Sequence, residues 1–383
     1  MAEDFARPVR MGMVGGGLDA FIGAVHRRAA AIDGRLQLVA GCLSRDADIA
    51  KQSGEAYGLA DDRAYTSLDA MLAGEANRDD ACELISIVTP NHTHYLIAKA
   101  CLEAGFHVLL EKPMTNTSAE AQELAALAAE RARVCAVMYT YSGYPMVREA
   151  RSRVRSGELG AVRKVFVEYH QGWLSKAEET AGNAQAEWRT DPKQAGLGGA
   201  LGDIGTHAEH LTRFITGLEI ESLCAELTSF VPGRALDDDA SVLLRYRGGA
   251  KGVLTASQVC AGEGNGLSIR IYGDKGGLRW RQQTPEALEL LPLDGPPVTV
   301  FRGGPGTGSV AEASQRIPVG HPEGFIEAFA NVYNGAADLV LGRDGEVSAL
   351  TPVAEDGRQG VRFVELCVES ARSDGRWIEA SGL

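Results

Sequence analysis

Three stretches of this 383-residue chain carry residue types that can do chemistry together. They are Gly15-Gly16-Gly17 with Gly23 six residues further on, a lysine held between an acid and a proline in Glu111-Lys112-Pro113, and Asp203 followed four residues later by His207. Glycines that end a first strand and precede a helix let the backbone turn tightly and approach a pyrophosphate, which the helix N-terminus favours through its N–H groups and dipole. The spacing is irregular, because Ala20 stands where the usual third glycine would fall. A lysine fixed at a strand end can donate to a substrate hydroxyl and stabilise a developing alkoxide. Histidine titrates near neutral pH and can take a hydroxyl proton as a hydride leaves, while an aspartate on the same helix face can orient the ring or hydrogen-bond a sugar. An ordinary surface ion pair has the same spacing. His207 and His210 on one helix are too few ligands for a zinc site, so no metal is expected.

These residues need elements to position them. VRMGMVG (9–15), LQLVAGCL (36–43), ELISIVTP (83–90), FHVLLEKP (106–113) and VCAVMY (134–139) read as buried strands alternating with Ala-rich helical stretches, the pattern of a doubly wound parallel sheet. The clearest helix runs from Ser118 to Arg131, with Thr117 and Glu120 as a capping box. This places a dinucleotide-binding domain at residues 1–140. TPNHTH (89–94) and EKP (111–113) then fall at the carboxyl edge of the sheet, where such folds bind ligands. At the end of the second strand, Leu43-Ser44-Arg45-Asp46 leaves the cofactor open between NAD and NADP. Ser44 and Arg45 suit a 2′-phosphate, and equally a helix cap and a solvated side chain.

Residues 141–383 change pattern. A helix over 144–156 leads into period-2 segments at 162–170, 241–246, 252–259, 267–273 and 277–281, which imply an antiparallel sheet with one helix-covered face. The Gly/Pro-rich stretch 293–308 reads as a surface loop, and 322–341 and 357–372 as helices.

The composition narrows the function classes. With 45% hydrophobic and 23% charged residues the chain can build cores, and its net charge of −13 disfavours nucleic acid. There is no apolar run long enough to span a bilayer and no leader-like segment at the N-terminus, so neither a membrane partner nor export is expected and the reading is cytoplasmic. Seven scattered cysteines, without a close pair at metal or redox spacing, read as buried free thiols.

In order and interval, GGGLDAFIGAVH, TPNHTH, LLEKPMT and GGALGDIGTHAEH resemble the glucose-fructose oxidoreductase / inositol dehydrogenase (Gfo/Idh/MocA) family over nearly the whole chain. The resemblance implies an α/β fold: an N-terminal Rossmann domain with a doubly wound parallel sheet, then a C-terminal α/β domain with a large open antiparallel sheet used for oligomerisation, giving a homodimer or homotetramer. It implies that Lys112, Asp203 and His207 form the catalytic set. It further implies that Pro90, Asn91, His94 and Glu111 line an NAD or NADP cofactor beside the Gly15, Gly17 and Gly23 loop and Ser44 and Arg45.

The segment 170–196 is rich in groups that grip sugars. Trp173 and Trp188 offer flat apolar faces, Arg189 and Lys193 offer donors, and His321 is a further substrate candidate at the start of a late helix. The expected activity is hydride transfer between a secondary hydroxyl of a sugar, cyclitol or glycoside and the nicotinamide. The alternative is a redox-neutral glycosidase that passes through a transient 3-keto sugar. Lys176, Arg189 and Lys193 would suit an acidic or sulfonated glycoside as its substrate. A non-catalytic sensor is disfavoured by the complete Lys112, Asp203 and His207 set.

Overall fold

A computed structural model describes residues 7–18 and 20–383. The chain divides into two compact units. One takes in the chain up to Thr115 together with Ala119–Gly143 and Phe325–Gly357; the other holds Asn116–Ser118, Tyr144–Gly324 and Arg358–Leu383. This spatial division differs from a single cut after residue 140, because a late helix belongs to the first unit.

The first unit is built on five parallel strands, β1 (Val9–Gly15), β2 (Leu36–Cys42), β3 (Leu84–Val88), β4 (His107–Leu110) and β5 (Cys135–Val137), in the order β2-β1-β3-β4-β5. All five residues of β3 are buried, as expected of a strand covered on both faces. Helix Phe21–Ala31 lies on one face with Val25, Ala29 and Ala30 inward, and helix Phe325–Val340 joins the same core through Phe329, Val332, Tyr333, Ala336 and Ala337. That late helix falls within the predicted 322–341, but nothing in its amphipathic pattern says which sheet it covers. The order of strands reverses between β1 and β3, where Gly15 is paired in register with Val88.

The second unit carries a nine-stranded sheet: β6 (Val162–His170), β7 (Ile220–Thr228), β8 (Asp239–Tyr246), β9 (Lys251–Ser257), β10 (Gly266–Gly273), β11 (Gly276–Arg281), β12 (Ala287–Pro292), β13 (Val298–Phe301) and β14 (Ile378–Glu379). Their order is β13-β12-β11-β10-β6-β9-β8-β7-β14. The sheet is mostly antiparallel, with one departure from the sequence reading: β6 and β9 pair in parallel. A parallel pair needs a long crossover, and residues 171–219 supply it. The Gly/Pro-rich stretch at 293–308 is also more than a loop, since Val298–Phe301 forms strand β13 against β12. Its prolines and glycines build the hairpin turn and hide a four-residue edge strand beyond it.

All seven cysteines are free thiols, but Cys42, Cys224 and Cys260 are half-buried rather than buried. No described helix is long and apolar enough to cross a membrane.

Candidate active site

In the first unit the glycine loop follows β1 at the point where strand order reverses. Gly15 (φ +81°) and Gly16 (φ +75°) adopt the left-handed backbone, and a Cβ on Gly15 would lie 2.8 Å from Thr89 Cγ2. A Cβ on Gly23 would lie 2.3 Å from Gly16 Cα, so Gly23 lets helix Phe21–Ala31 close on the loop. It does the packing expected of a third glycine, three residues later than usual. A Cβ on Gly17 would point at Leu43 O (2.8 Å) and Ser53 Oγ (3.0 Å), so the protein's own packing already requires a small residue here.

Helix Phe21–Ala31 starts at Ala20 with no side-chain cap and no acid in its first turn. Its first N–H groups and dipole thus lack a capping side chain or first-turn acid among the described residues, which suits a pyrophosphate. At the end of β2, Ser44 Oγ accepts the Asp46 N–H (3.1 Å), while Asp46 itself caps the next helix through the N–H groups of Asp48 and Ile49. The cap is therefore Asp46 and not Ser44. Arg45 is exposed.

Beyond β3, Pro90 is exposed and Asn91 is buried. His94 is fully buried, with Nδ1 2.9 Å from Pro113 O and Nε2 2.8 Å from Thr89 O, so it ties the two strand-end loops together. Burial pushes its pKa down, and a neutral ring donates to only one of those carbonyls at a time. Glu111 Oε2 accepts the backbone N–H of Lys112 (3.1 Å), and Glu111 Oε1 accepts from His26 Nε2 (2.9 Å). Burial works against the Glu111 charge, but the His26 hydrogen bond and the nearby Lys112 outweigh it and hold the carboxyl below its ordinary range.

In the second unit Asp203 sits on a single π-helical turn, Leu201–Gly205, that runs directly into helix Thr206–Thr216 with His207 in its first turn. Such turns often mark functional positions. Asp203 Oδ2 accepts from Gln258 Nε2 (2.9 Å) and Arg189 Nε (3.1 Å). Arg189 lies 4.1 Å above the Trp188 ring and 5.9 Å from the Trp173 ring, and Trp173 Nε1 donates to Gln171 Oε1 (3.0 Å). Trp173, Trp188 and Arg189 thus gather around Asp203. Lys193 is exposed on the short helix Pro192–Ala195. His321 is exposed too. It lies in the stretch before helix Phe325–Val340 and does not open it; its N–H donates to Pro318 O (3.3 Å) and its carbonyl accepts from Arg302.

Two supports for this half were not visible as chemistry in the sequence. Asp237 accepts the N–H groups of Gly199 (2.7 Å) and Leu201 (2.8 Å), clamping the approach to the π turn. Burial raises its carboxyl pKa to about 6. Asp238 holds Arg234, which donates to Glu179 Oε1 (2.9 Å) and to the carbonyls of Leu174 (2.8 Å) and Lys176 (2.7 Å), fixing the loop that carries them. The only signal was the acidic run Asp237-Asp238-Asp239, which reads as solvated until its partners are known. Among the described residues no group of three His, Cys, Asp or Glu side chains is arranged to hold a metal.

Two family models match the chain: an oxidoreductase family with an NAD-binding Rossmann fold over residues 9–139, and a GFO/IDH/MocA C-terminal domain over residues 147–279. The chain is 38% identical to the uncharacterized oxidoreductase YfiI of Bacillus subtilis (strain 168), covering 98% of this chain and 97% of that protein. Among solved structures it is similar to an oxidoreductase from Sinorhizobium meliloti (43% identity, TM-score 0.89, covering 98% of this chain and 100% of that one). It is also similar to an inositol dehydrogenase homolog from Azotobacter vinelandii complexed with NAD+ (36% identity, TM-score 0.93, 98% of each chain). The Azotobacter vinelandii homolog is known with NADH and myo-inositol as well. The glycine loop at the strand-order reversal, the uncapped helix behind it and these matches agree: the chain belongs to the Gfo/Idh/MocA family of oxidoreductases and its first unit is an NAD-binding Rossmann domain.

Proposed function

We propose that this protein is a dehydrogenase for a secondary hydroxyl of a cyclitol or sugar. The observation that carries the reading is the Asp203 carboxylate, anchored by Gln258 and Arg189 beside two tryptophans and one turn before His207. NAD, when bound, supplies the hydride acceptor. His207 takes the hydroxyl proton, Lys112 steadies the oxygen as charge develops, and Asp203 accepts a hydrogen bond from a neighbouring hydroxyl. Trp173 and Trp188 give the ring an apolar face. Gly15 and Gly16 with the Phe21–Ala31 N-terminus hold the pyrophosphate, and Pro90, Asn91 and Glu111 flank the cofactor while His94 braces their loops.

Ser44 and Asp46 are engaged locally, which leaves Arg45 as the residue that admits a 2′-phosphate. The kinship of the Azotobacter vinelandii homolog, solved with myo-inositol, makes cyclitols the first class to test. The protein acts as a homodimer or homotetramer through the open face of the second unit's sheet, where Leu243 is 49% exposed and Phe166 packs on Tyr272.

The test is a screen of myo-inositol, scyllo-inositol, glucose, levoglucosan and an aryl glycoside with NAD and with NADP, following reduced cofactor and free aglycone. Stoichiometric NADH with an intact glycoside is the expected result, and Arg45→Ala should weaken NADP more than NAD. Aglycone release without net reduction would replace this reading by the redox-neutral glycosidase.

A further inference from the structure

His26 is the last residue of the GGGLDAFIGAVH stretch, is fully buried, and has no part in the chemistry above. Its Nε2 lies 2.9 Å from Glu111 Oε1 and its Nδ1 lies 2.7 Å from the Tyr333 hydroxyl. That hydroxyl is 2.7 Å from Ser86 Oγ. Glu111 in turn accepts the Lys112 N–H through its other oxygen (3.1 Å). These residues belong to the first unit but come from separate elements: Ser86 from β3, His26 from helix Phe21–Ala31, Tyr333 from helix Phe325–Val340, and Glu111 from the end of β4. The His26 ring packs edge-on against Phe329 (5.0 Å) and Tyr333 (5.7 Å).

The ionised Glu111 carboxylate fixes the first donor of the chain. An ionised Glu111 only accepts, so His26 Nε2 carries the proton. Nδ1 faces the Tyr333 hydroxyl at 2.7 Å, a contact in which either group can donate; in the relay the Tyr333 O–H is the donor. Burial pushes the Tyr333 pKa up, which keeps the phenol protonated. The phenol oxygen accepts from Ser86. Each hydrogen bond thus points the same way, from Ser86 to Tyr333 to His26 to Glu111, and bonds aligned in this fashion polarise one another.

We propose that His26 and Tyr333 are positioning residues: a buried, one-directional hydrogen-bond relay that fixes the Glu111 carboxylate and, through it, the Lys112 backbone at the redox site. The proposal rests on the reading that Glu111 and Lys112 serve the cofactor and substrate.

The experiment compares wild type with His26→Gln, His26→Leu and Tyr333→Phe by NADH titration and by long-range 1H–15N NMR of the histidine rings. In wild type, His26 is expected as the neutral Nε2–H tautomer. His26→Leu should weaken NADH by about tenfold or more, the size of a lost charge-assisted hydrogen bond, while His26→Gln, which keeps an N–H for Glu111, should recover to within about threefold. Tyr333→Phe should lower the Nε2–H population and reduce kcat on an oxidised polyol more than it raises KM.

A doubly protonated or Nδ1–H His26 in wild type would overturn the relay, as would a folded His26→Leu with unchanged NADH affinity. If His26→Leu fails to fold, the wild-type and Tyr333→Phe tautomers decide. The NMR and NADH readouts need no substrate, so a polyol screen that fails while they behave as expected sinks the dehydrogenase reading alone.

Discussion

Arg189 Nε lies 3.1 Å from Asp203 Oδ2 with both side chains mostly shielded from solvent, so the acid that precedes His207 is paired before any substrate arrives. A substrate hydroxyl that binds Asp203 therefore meets a carboxylate of fixed orientation, flanked by a cation stacked on Trp188. Releasing that carboxylate should cost binding more than chemistry. Arg189→Met is expected to raise KM for the polyol and lower kcat/KM by about tenfold, in line with a partly buried charge pair. Arg189→Lys should not restore it, because an ammonium lacks the planar fork and the stacking surface. Steady-state kinetics check this; an unchanged kcat/KM in Arg189→Met would remove Arg189 from the substrate site.

His207→Ala and Lys112→Ala should each lower turnover by roughly a hundredfold to ten-thousandfold, the usual range for a lost general base or oxyanion partner. His207→Ala should still bind NADH, since the residues proposed to hold its pyrophosphate all belong to the first unit. Single-turnover kinetics combined with NADH titration separate the two effects. Near-normal turnover in His207→Ala would show that another group takes the proton.

Gly23→Ala tests the late third glycine. Its methyl would sit 2.3 Å from Gly16 Cα and 2.6 Å from Gly16 O, so the loop or the helix must shift. A loss of about 1–3 kcal/mol in stability, typical of overpacking, is expected together with weaker NAD binding. Gly264→Ala is the control: nothing lies within 4 Å of its added Cβ, and its effect should stay within about 0.5 kcal/mol. Thermal denaturation and calorimetric titration of both variants measure the difference.

Asp237 sets a pH dependence with a definite sign. Burial raises its pKa from 3.8 to about 6 in the folded protein, so between those values the native state holds more proton than the unfolded chain. The contribution of this group to stability is full below about pH 4 and is lost as pH rises through about 6, with a span on the order of 3 kcal/mol. Asp237→Asn cannot titrate and loses one acceptor toward Gly199 or Leu201. The stability of wild type relative to Asp237→Asn should therefore rise from pH 7 to pH 4.5. Chemical denaturation at several pH values tests this, and a wild type that loses stability relative to the variant on acidification would refute the assignment.

The sequence by itself determined the family, both sheets in outline and the residue types at the strand ends. β1 to β5 are written in short apolar runs bounded by glycine and polar residues, and the period-2 alternation of β6, β8 and β10 survives because each has one buried face. Lys112, Asp203 and His207 stood out because their spacing is local. Relations between residues far apart in the chain belonged to tertiary structure. That His26 meets Tyr333, 307 residues away, depends on which sheet the last long helix covers, and amphipathicity specifies a face without naming its partner. The parallel β6–β9 pairing depends on a crossover whose direction no local pattern encodes. His94 was legible as a histidine beside a strand end but not as a brace, because the two carbonyls that occupy its ring come from different loops. Asp237 and Asp238 looked like solvated acids for the same reason: a carboxylate's role is fixed by what lies opposite it, and for these residues that is decided only when β8 packs beneath the turn carrying Asp203.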